Sequence, residues 1–174
     1  MIDGISFYHD FIDNPQALFT TLYTNTAWDE RMKSRKTASF GIAYNYSQIS
    51  YPAQAMPSFL EQICQQIATT IGFKPNNCLI NLYPNGRSKM GYHSDQIDIL
   101  AKNTGIAILS LGAERILRYR NIDNQSQKID YALPTGSLIY MNQAVQQQWQ
   151  HAIPKSATDD KRMSLTFRQI KSNN

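Results

Sequence analysis

The sequence is short of what would mark a secreted, membrane-spanning or multi-part protein. Its two cysteines, Cys64 and Cys78, lie in the apolar contexts EQICQQI and NNCLINL. That pair reads as two buried thiols in a reducing compartment rather than as a disulfide framework. No run approaches the roughly 18 apolar residues of a membrane span, and no basic segment followed by an apolar one opens the chain. The expectation is a protein without membrane association, in the cytoplasm, or in the nucleus if the source is eukaryotic. Repeats, low-complexity tracts and Pro/Gly/Ser linkers are also missing. One domain over residues 1–174 is therefore expected, large enough for a real core and working as a monomer. Neither sign of charge dominates: 17 Lys and Arg stand against 13 Asp and Glu, for a net charge of +4. The pI near 9.1 leans only weakly toward an anionic partner.

What is present is a change of texture. Asn14-Pro15 makes a cap and first turn for a helix through Leu18, Phe19 and Leu22. In PSFLEQICQQIATTIG, residues Leu60, Ile63, Ile67 and Ile71 form one helical stripe. There Ser58 and Glu61 have capping-box spacing, and Gly72 supplies the stop. From residue 78 onward short segments of period two are broken by YPNG, NTG, NIDNQ and LPTG, all turn signals. Helices first and strands afterwards predict an α+β protein: a jelly roll with the N-terminal helices packed on one sheet.

Chemistry concentrates in the strands. In CLINLY, residues 78–83, Leu79, Asn81 and Tyr83 oppose Ile80 and Leu82. In RMSLTFR, residues 162–168, Met163, Leu165 and Phe167 take one face, and Arg162, Ser164, Thr166 and Arg168 the other. A solvated face would read the same way. If that face instead points into a barrel, two guanidiniums there require anionic partners, and a small dicarboxylate would serve. Upstream, MGYHSDQID places His93 and Asp95 two apart, on one side of an extended strand. A further histidine, His151, follows after a spacer of 55 residues in WQHAIP, whereas His9 reads as incidental. Two imidazoles and one carboxylate suit the facial triad of non-haem iron, or a catalytic zinc. The paired arginines favour iron, because a keto-acid that chelates the metal at one end needs a cation at its far carboxylate.

Taken in order, RKTASFG with AYNYS, INLYPNG, YHSD, ILSLGAER, GSLIYMN, QHAIP and RMSLTFR resemble the AlkB family of Fe(II)/2-oxoglutarate dioxygenases, over about residues 35–170. The resemblance implies a double-stranded β-helix with a catalytic core at about 78–170. It implies Fe(II) on His93, Asp95 and His151, and 2-oxoglutarate held by Asn81, Tyr83, Arg162, Ser164 and Arg168, with Arg162 on the distal carboxylate. Ser164 stands where many members have Asn. The implied reaction uses molecular oxygen to remove N-methyl groups from alkylated bases in DNA or RNA, single strands favoured, as formaldehyde. Tyr46 matches the aromatic that stacks on the target base, with Tyr44 as a second contact.

Basic residues in RMKSRK (31–36) and in ERILRYR suggest phosphate contacts, with Arg118 and Arg120 on one face of their strand and Arg115 on the other. An edge strand kept soluble by arginines would look alike. One departure bears on substrate. Residues after the carboxylate ligand are commonly acidic in the nucleic-acid demethylases, but here they are Gln96 and Ile97. Gln96 is the expected base-edge contact. The same chemistry on a protein side chain or small molecule stays open as an alternative, and a metal-free binding module is the remote one.

Overall fold

In the computed structural model, which describes residues 1–172, the alternation in the last long strand organises the molecule. Fifteen elements follow in chain order among the described residues: β1 (Ile5–Tyr8), α1 (Pro15–Asn25), β2 (Lys36–Gly41), β3 (Tyr44–Tyr46), β4 (Ile49–Tyr51), α2 (Ser58–Ile71), β5 (Asn77–Tyr83), β6 (Met90–His93), β7 (Ile106–Gly112), β8 (Arg115–Asn121), β9 (Lys128–Leu133), β10 (Leu138–Met141), α3 (Gln143–Gln148), β11 (Trp149–Ile153) and β12 (Arg162–Arg168). They form a six-stranded sheet in the order β1-β10-β7-β12-β5-β2 and a four-stranded sheet in the order β6-β11-β8-β9, with β3–β4 as a separate hairpin. Every pairing is antiparallel.

Strand alternation gives the larger sheet two inner faces. Ile80, Leu82, Leu109, Met163, Leu165 and Phe167 face the helices and pack with Leu22, Leu60, Ile63, Cys64 and Ile67. Tyr83, Ile108, Ile139 and Met141 face the smaller sheet and pack with Leu117, Tyr119, Leu133 and Ile153. The result is a layer of helices, a large sheet and a small sheet, as the jelly-roll expectation has it. Cys64 and Cys78 are both free and buried, and burial pushes the Cys64 thiol up to about 12.

Three local expectations are corrected. Strands do not wait for the helices: β1 and β2 form both edges of the large sheet, and β2 is buried through Thr37–Phe40 in spite of its brevity. The capping box at Ser58 does not form. Pro57 holds the cap position, Ser58 is already helical, and the Glu61 carboxylate accepts instead from Lys74 at 2.6 Å. Between GSLIYM and His151 lies an unforeseen helix, α3, opened by the Asn142 side-chain oxygen Oδ1 accepting from the Val145 amide. Gly72 does end α2, with φ of 102°, a left-handed conformation that glycine adopts without strain.

Candidate active site

Strand register builds the site. β12 lies between β5 and β7, with Arg162 opposite Tyr83 and Ser164 opposite both Asn81 and Ser110. In the small sheet His151 stands opposite His93 on β6 and opposite Tyr119 on β8. The two sets face each other across one cavity that opens to solvent. Asn81, Tyr83, His93, Asp95, His151, Arg162, Ser164 and Arg168 all line it, with Tyr46 at its edge. Thus all three expected metal ligands and all five expected cosubstrate residues are brought together.

His93 and Asp95 do not meet as alternate residues of one strand. β6 ends at His93, and Asp95 sits in the irregular segment beyond it. Even so, one ligand atom from each of His93, Asp95 and His151 lies within 4.8 Å of the others. His93 Nε2 is 3.3 Å and His151 Nε2 3.7 Å from Asp95 Oδ1. The Nδ1 of His93 lies 2.9 Å from the Gly91 carbonyl oxygen, a bond that makes Nδ1 the protonated nitrogen and leaves the Nε2 lone pair facing the cluster. Burial pushes the His151 imidazole down to about 4, so at neutral pH it is uncharged and free to donate an electron pair. Burial alone would raise the Asp95 carboxyl. The Arg168 guanidinium, the His93 hydrogen bond and the neighbouring imidazoles outweigh it and hold the group ionised well below the usual carboxylate range.

At the far end two buried arginines differ in how they are satisfied. Arg115 donates to the carbonyl oxygens of Asn85 at 3.3 Å and of Ser88 and Pro154 at 2.7 Å each, which ties two loops to the sheet. It is 2% exposed and cannot meet phosphate. Arg162, 1% exposed, donates only to Ser110 Oγ at 3.0 Å, and its Nε and Nη1 have no partner. Arg168 gives Nη2 to Asp95 Oδ2 at 3.2 Å, while its Nε and Nη1 are likewise unpaired. Buried guanidinium N–H groups without acceptors are costly unless an anion completes them. The residues present therefore fit both absent groups: two imidazole nitrogens with a carboxylate oxygen suit Fe(II), and unpaired guanidiniums across the cavity suit a dicarboxylate.

The substrate-side residues are placed less uniformly. Tyr46 ends the strand β3, and Gln96 is exposed beside Asp95 at the outer mouth. Tyr44 is buried, with the Arg168 guanidinium 4.9 Å from its ring centre, so it floors that arginine instead of lining the main cavity. Arg118 and Arg120 are on the outer face of β8, because alternation turns Arg115, Leu117 and Tyr119 inward. Arg118 makes two 2.7 Å bonds to Asp130, and Arg120 lies 3.9 Å over the Tyr92 ring and donates to Gln150. Neither flanks the cavity. His9 is exposed and packs edge-on against Phe7, away from the site.

Arg35 is a site residue that sequence reasoning counted only as part of a basic run. Its Nε donates to Asn81 Oδ1 at 2.9 Å and its Nη2 to the Tyr46 hydroxyl at 2.6 Å, with the Tyr83 ring 6.0 Å away. Its neighbours in the run behave differently: Arg31 pairs with Asp29, and Lys36 with Glu30 at 2.9 Å. Replacing Arg35 with methionine removes its bonds to Asn81 and Tyr46, and those from Nη1 to Ser34 Oγ at 3.1 Å and the Lys89 carbonyl oxygen at 3.4 Å, each worth about 0.5–3 kcal/mol. The expected result is a several-fold rise in the 2-oxoglutarate concentration for half-maximal turnover, measured by succinate formation, with a melting temperature lower by about 2–4 °C for each kcal/mol lost.

A model of the 2OG-Fe(II) oxygenase superfamily matches residues 13–168. The chain is 31% identical over 182 residues to the Bos taurus protein named alpha-ketoglutarate-dependent dioxygenase alkB homolog 3, covering 92% of this chain and 64% of that one. It is 30% identical over 147 residues to the Bos taurus DNA oxidative demethylase ALKBH2, covering 78% of this chain and 53% of that one. The chain thus spans less than two thirds of the length of both relatives. A solved structure titled "The structure of OsALKBH1" aligns with a TM-score of 0.69 over 97% of this chain and 99% of its own, at 13% identity, which is a likeness of fold. The matched span runs from before α1 to the end of β12 and takes in every residue of the cavity, so the chain belongs to the 2OG-Fe(II) oxygenase superfamily, with AlkB homologues among its relatives.

Proposed function

We propose that the protein is an Fe(II)- and 2-oxoglutarate-dependent dioxygenase that oxidatively demethylates alkylated bases in nucleic acid. In this reading residues 1–174 act as one catalytic domain, monomeric, in the cytoplasm or a nucleus. The observation that carries it is the facing of a two-histidine, one-carboxylate cluster with unpaired buried guanidiniums across a single cavity. Iron, 2-oxoglutarate and oxygen would together supply the oxidising power. The chain's own residues bind, orient and exclude. His93 and His151 present Nε2, and Asp95 presents Oδ1 while Arg168 holds its other oxygen. Arg162, backed by Ser110 and Tyr83, takes the distal carboxylate, with Asn81 and Ser164 beside it on the same wall. Leu79, Ile108, Leu117, Leu133 and Ile153 complete the lining with apolar side chains.

At the mouth, the Tyr46 ring offers a stacking face for a base taken out of its strand, and Gln96 can donate to or accept from a base edge. Single strands are the favoured partner, since an unpaired base needs no unpairing energy. Gln96 lacks the negative charge that would hold a cationic methylated base strongly, so discrimination among bases should be weak. That same lack supports a second reading, the same oxidation of a protein side chain or small molecule.

Succinate and formaldehyde are to be measured with single-stranded oligonucleotides carrying 1-methyladenine or 3-methylcytosine, beside unmethylated controls. Stimulation by the methylated strands, lost in Tyr46→Ala and weakened by salt as phosphate contacts are screened, is the expected result. If no methylated DNA or RNA raises succinate above its uncoupled rate while a protein extract does, the second reading replaces the first.

A further inference from the structure

The placement of Asp95 needs a cause, because strand β6 stops at His93 and Asp95 follows in irregular backbone. Arg168 holds one oxygen of its side chain, but it does not fix the backbone. Two contacts from the joint between α3 and β11 do. Gln146 Oε1 accepts from the Asp95 amide at 2.8 Å. One residue earlier, Ser94 Oγ donates to the Trp149 carbonyl oxygen at 3.0 Å. Gln146 and Trp149 stand five and two positions before His151. The segment that delivers the third ligand therefore also grips the loop that carries the second.

Local stability does not account for Gln146. Its side chain is 4% exposed, its Oε1 is used, and its Nε2 is buried with no partner. An unsatisfied buried donor costs about 1–3 kcal/mol, so an apolar side chain of the same length would suit the packing at least as well. What the amide oxygen uniquely supplies is an acceptor for the N–H of a residue whose carboxylate faces two imidazoles.

We propose that Gln146 and Ser94 are positioning residues that set the spacing of the three metal donors by locking the loop after β6 onto the α3–β11 joint. The inference rests on the reading that His93, Asp95 and His151 hold a metal. Partners that orient a metal ligand, without touching the metal, typically account for about 10–100-fold in metal affinity. Gln146→Met removes the acceptor and also the unpaired donor, but leaves the Asp95 N–H without a partner, so in the metal-free fold one bond is lost and one unsatisfied group replaces another. Its melting temperature should change little while its metal affinity falls.

The test is calorimetric titration of the full chain with Co(II), alongside thermal unfolding of the metal-free protein. Gln146→Met is expected to weaken Co(II) binding by about 10–100-fold and Ser94→Ala to weaken it in the same direction. Ser94→Thr keeps the hydroxyl and should bind as the parent does. Ser94 is exposed, so its variants decide the matter should Gln146→Met fail to fold. Tight Co(II) binding by the parent with unchanged affinity in both Gln146→Met and Ser94→Ala overturns this inference alone. A parent that takes up no Co(II) overturns the metal reading, and this inference with it.

Discussion

His151→Ala should weaken divalent metal binding by more than about 100-fold and stop 2-oxoglutarate turnover, because loss of a ligand must exceed the 10–100-fold typical of losing a ligand's outer partner. The geometry supports so large an effect. His151 is 3% exposed and directly opposite His93 in the strand register, and its ring centre is 4.3 Å from that of His93. Nothing adjacent can replace it: the cross-strand neighbour, Tyr119, is fully buried and turns its hydroxyl to Met141 Sδ. The remaining His93, at the end of β6, and Asp95, in the irregular segment beyond it, would form a two-point site. Metal titration checks the first part and succinate formation the second. Should the alanine variant bind iron and turn over 2-oxoglutarate as well as the parent, His151 is not a ligand and the cluster has another role.

The legible part of the site is the part that rests on strand alternation. RMSLTFR has two clean faces, and the structure puts Met163, Leu165 and Phe167 under the helices and Arg162, Ser164, Thr166 and Arg168 in the cavity. CLINLY divides in the same way, and register then makes Asn81 and Tyr83 neighbours of Ser164 and Arg162. The helices were legible for a similar reason: an apolar stripe of period near 3.6 must find a sheet to cover. In α2 that stripe includes Cys64, fully buried beside Leu60, Ile63 and Ile67.

The illegible parts share a different cause, which is that polar side chains do not announce their partners. QAVQQQ carries no apolar period, so α3 was hidden, and the one buried glutamine in it looks like its neighbours. RMKSRK reads as a single basic run, yet only Arg35 turns inward to Asn81 and Tyr46 while Arg31 and Lys36 meet acids on the surface. Arg115 and Arg162 are equally buried, and only the count of carbonyl partners separates the one that ties loops from the one with two unpaired guanidinium nitrogens. Alternation assigned Arg118 and Arg120 to the same face of β8 but could not say which face met the cavity.

Arg162→Met should raise the 2-oxoglutarate concentration for half-maximal turnover more than tenfold, yet leave the metal-free protein as stable as the parent or more so. The first half follows from the strength of the contact. Hydrogen bonds to a charged group contribute about 1.5–3 kcal/mol, and every 1.4 kcal/mol is tenfold in binding. The second half follows from what the guanidinium lacks before the cosubstrate arrives. With Nε and Nη1 unpaired, burial pushes the group well below the ordinary guanidinium value, to about 10, only partly opposed by Tyr83. Each pH unit of such a shift is about 1.4 kcal/mol, so the buried charge costs the empty fold a few kcal/mol. The sign follows from the order of the two values. Below about pH 10 both folded and unfolded chains carry the proton and the full cost is present; it disappears only as pH rises from there toward the ordinary guanidinium range, where the unfolded chain gives up its proton too. Methionine fills similar space without charge and removes that cost. Thermal unfolding of the metal-free protein, and succinate formation against 2-oxoglutarate concentration, measure the two halves separately. A variant with the parent's 2-oxoglutarate requirement would shift the anchor to Arg168, and one that unfolds well below the parent would mean that Arg162 is held in place by the fold and not kept for a ligand.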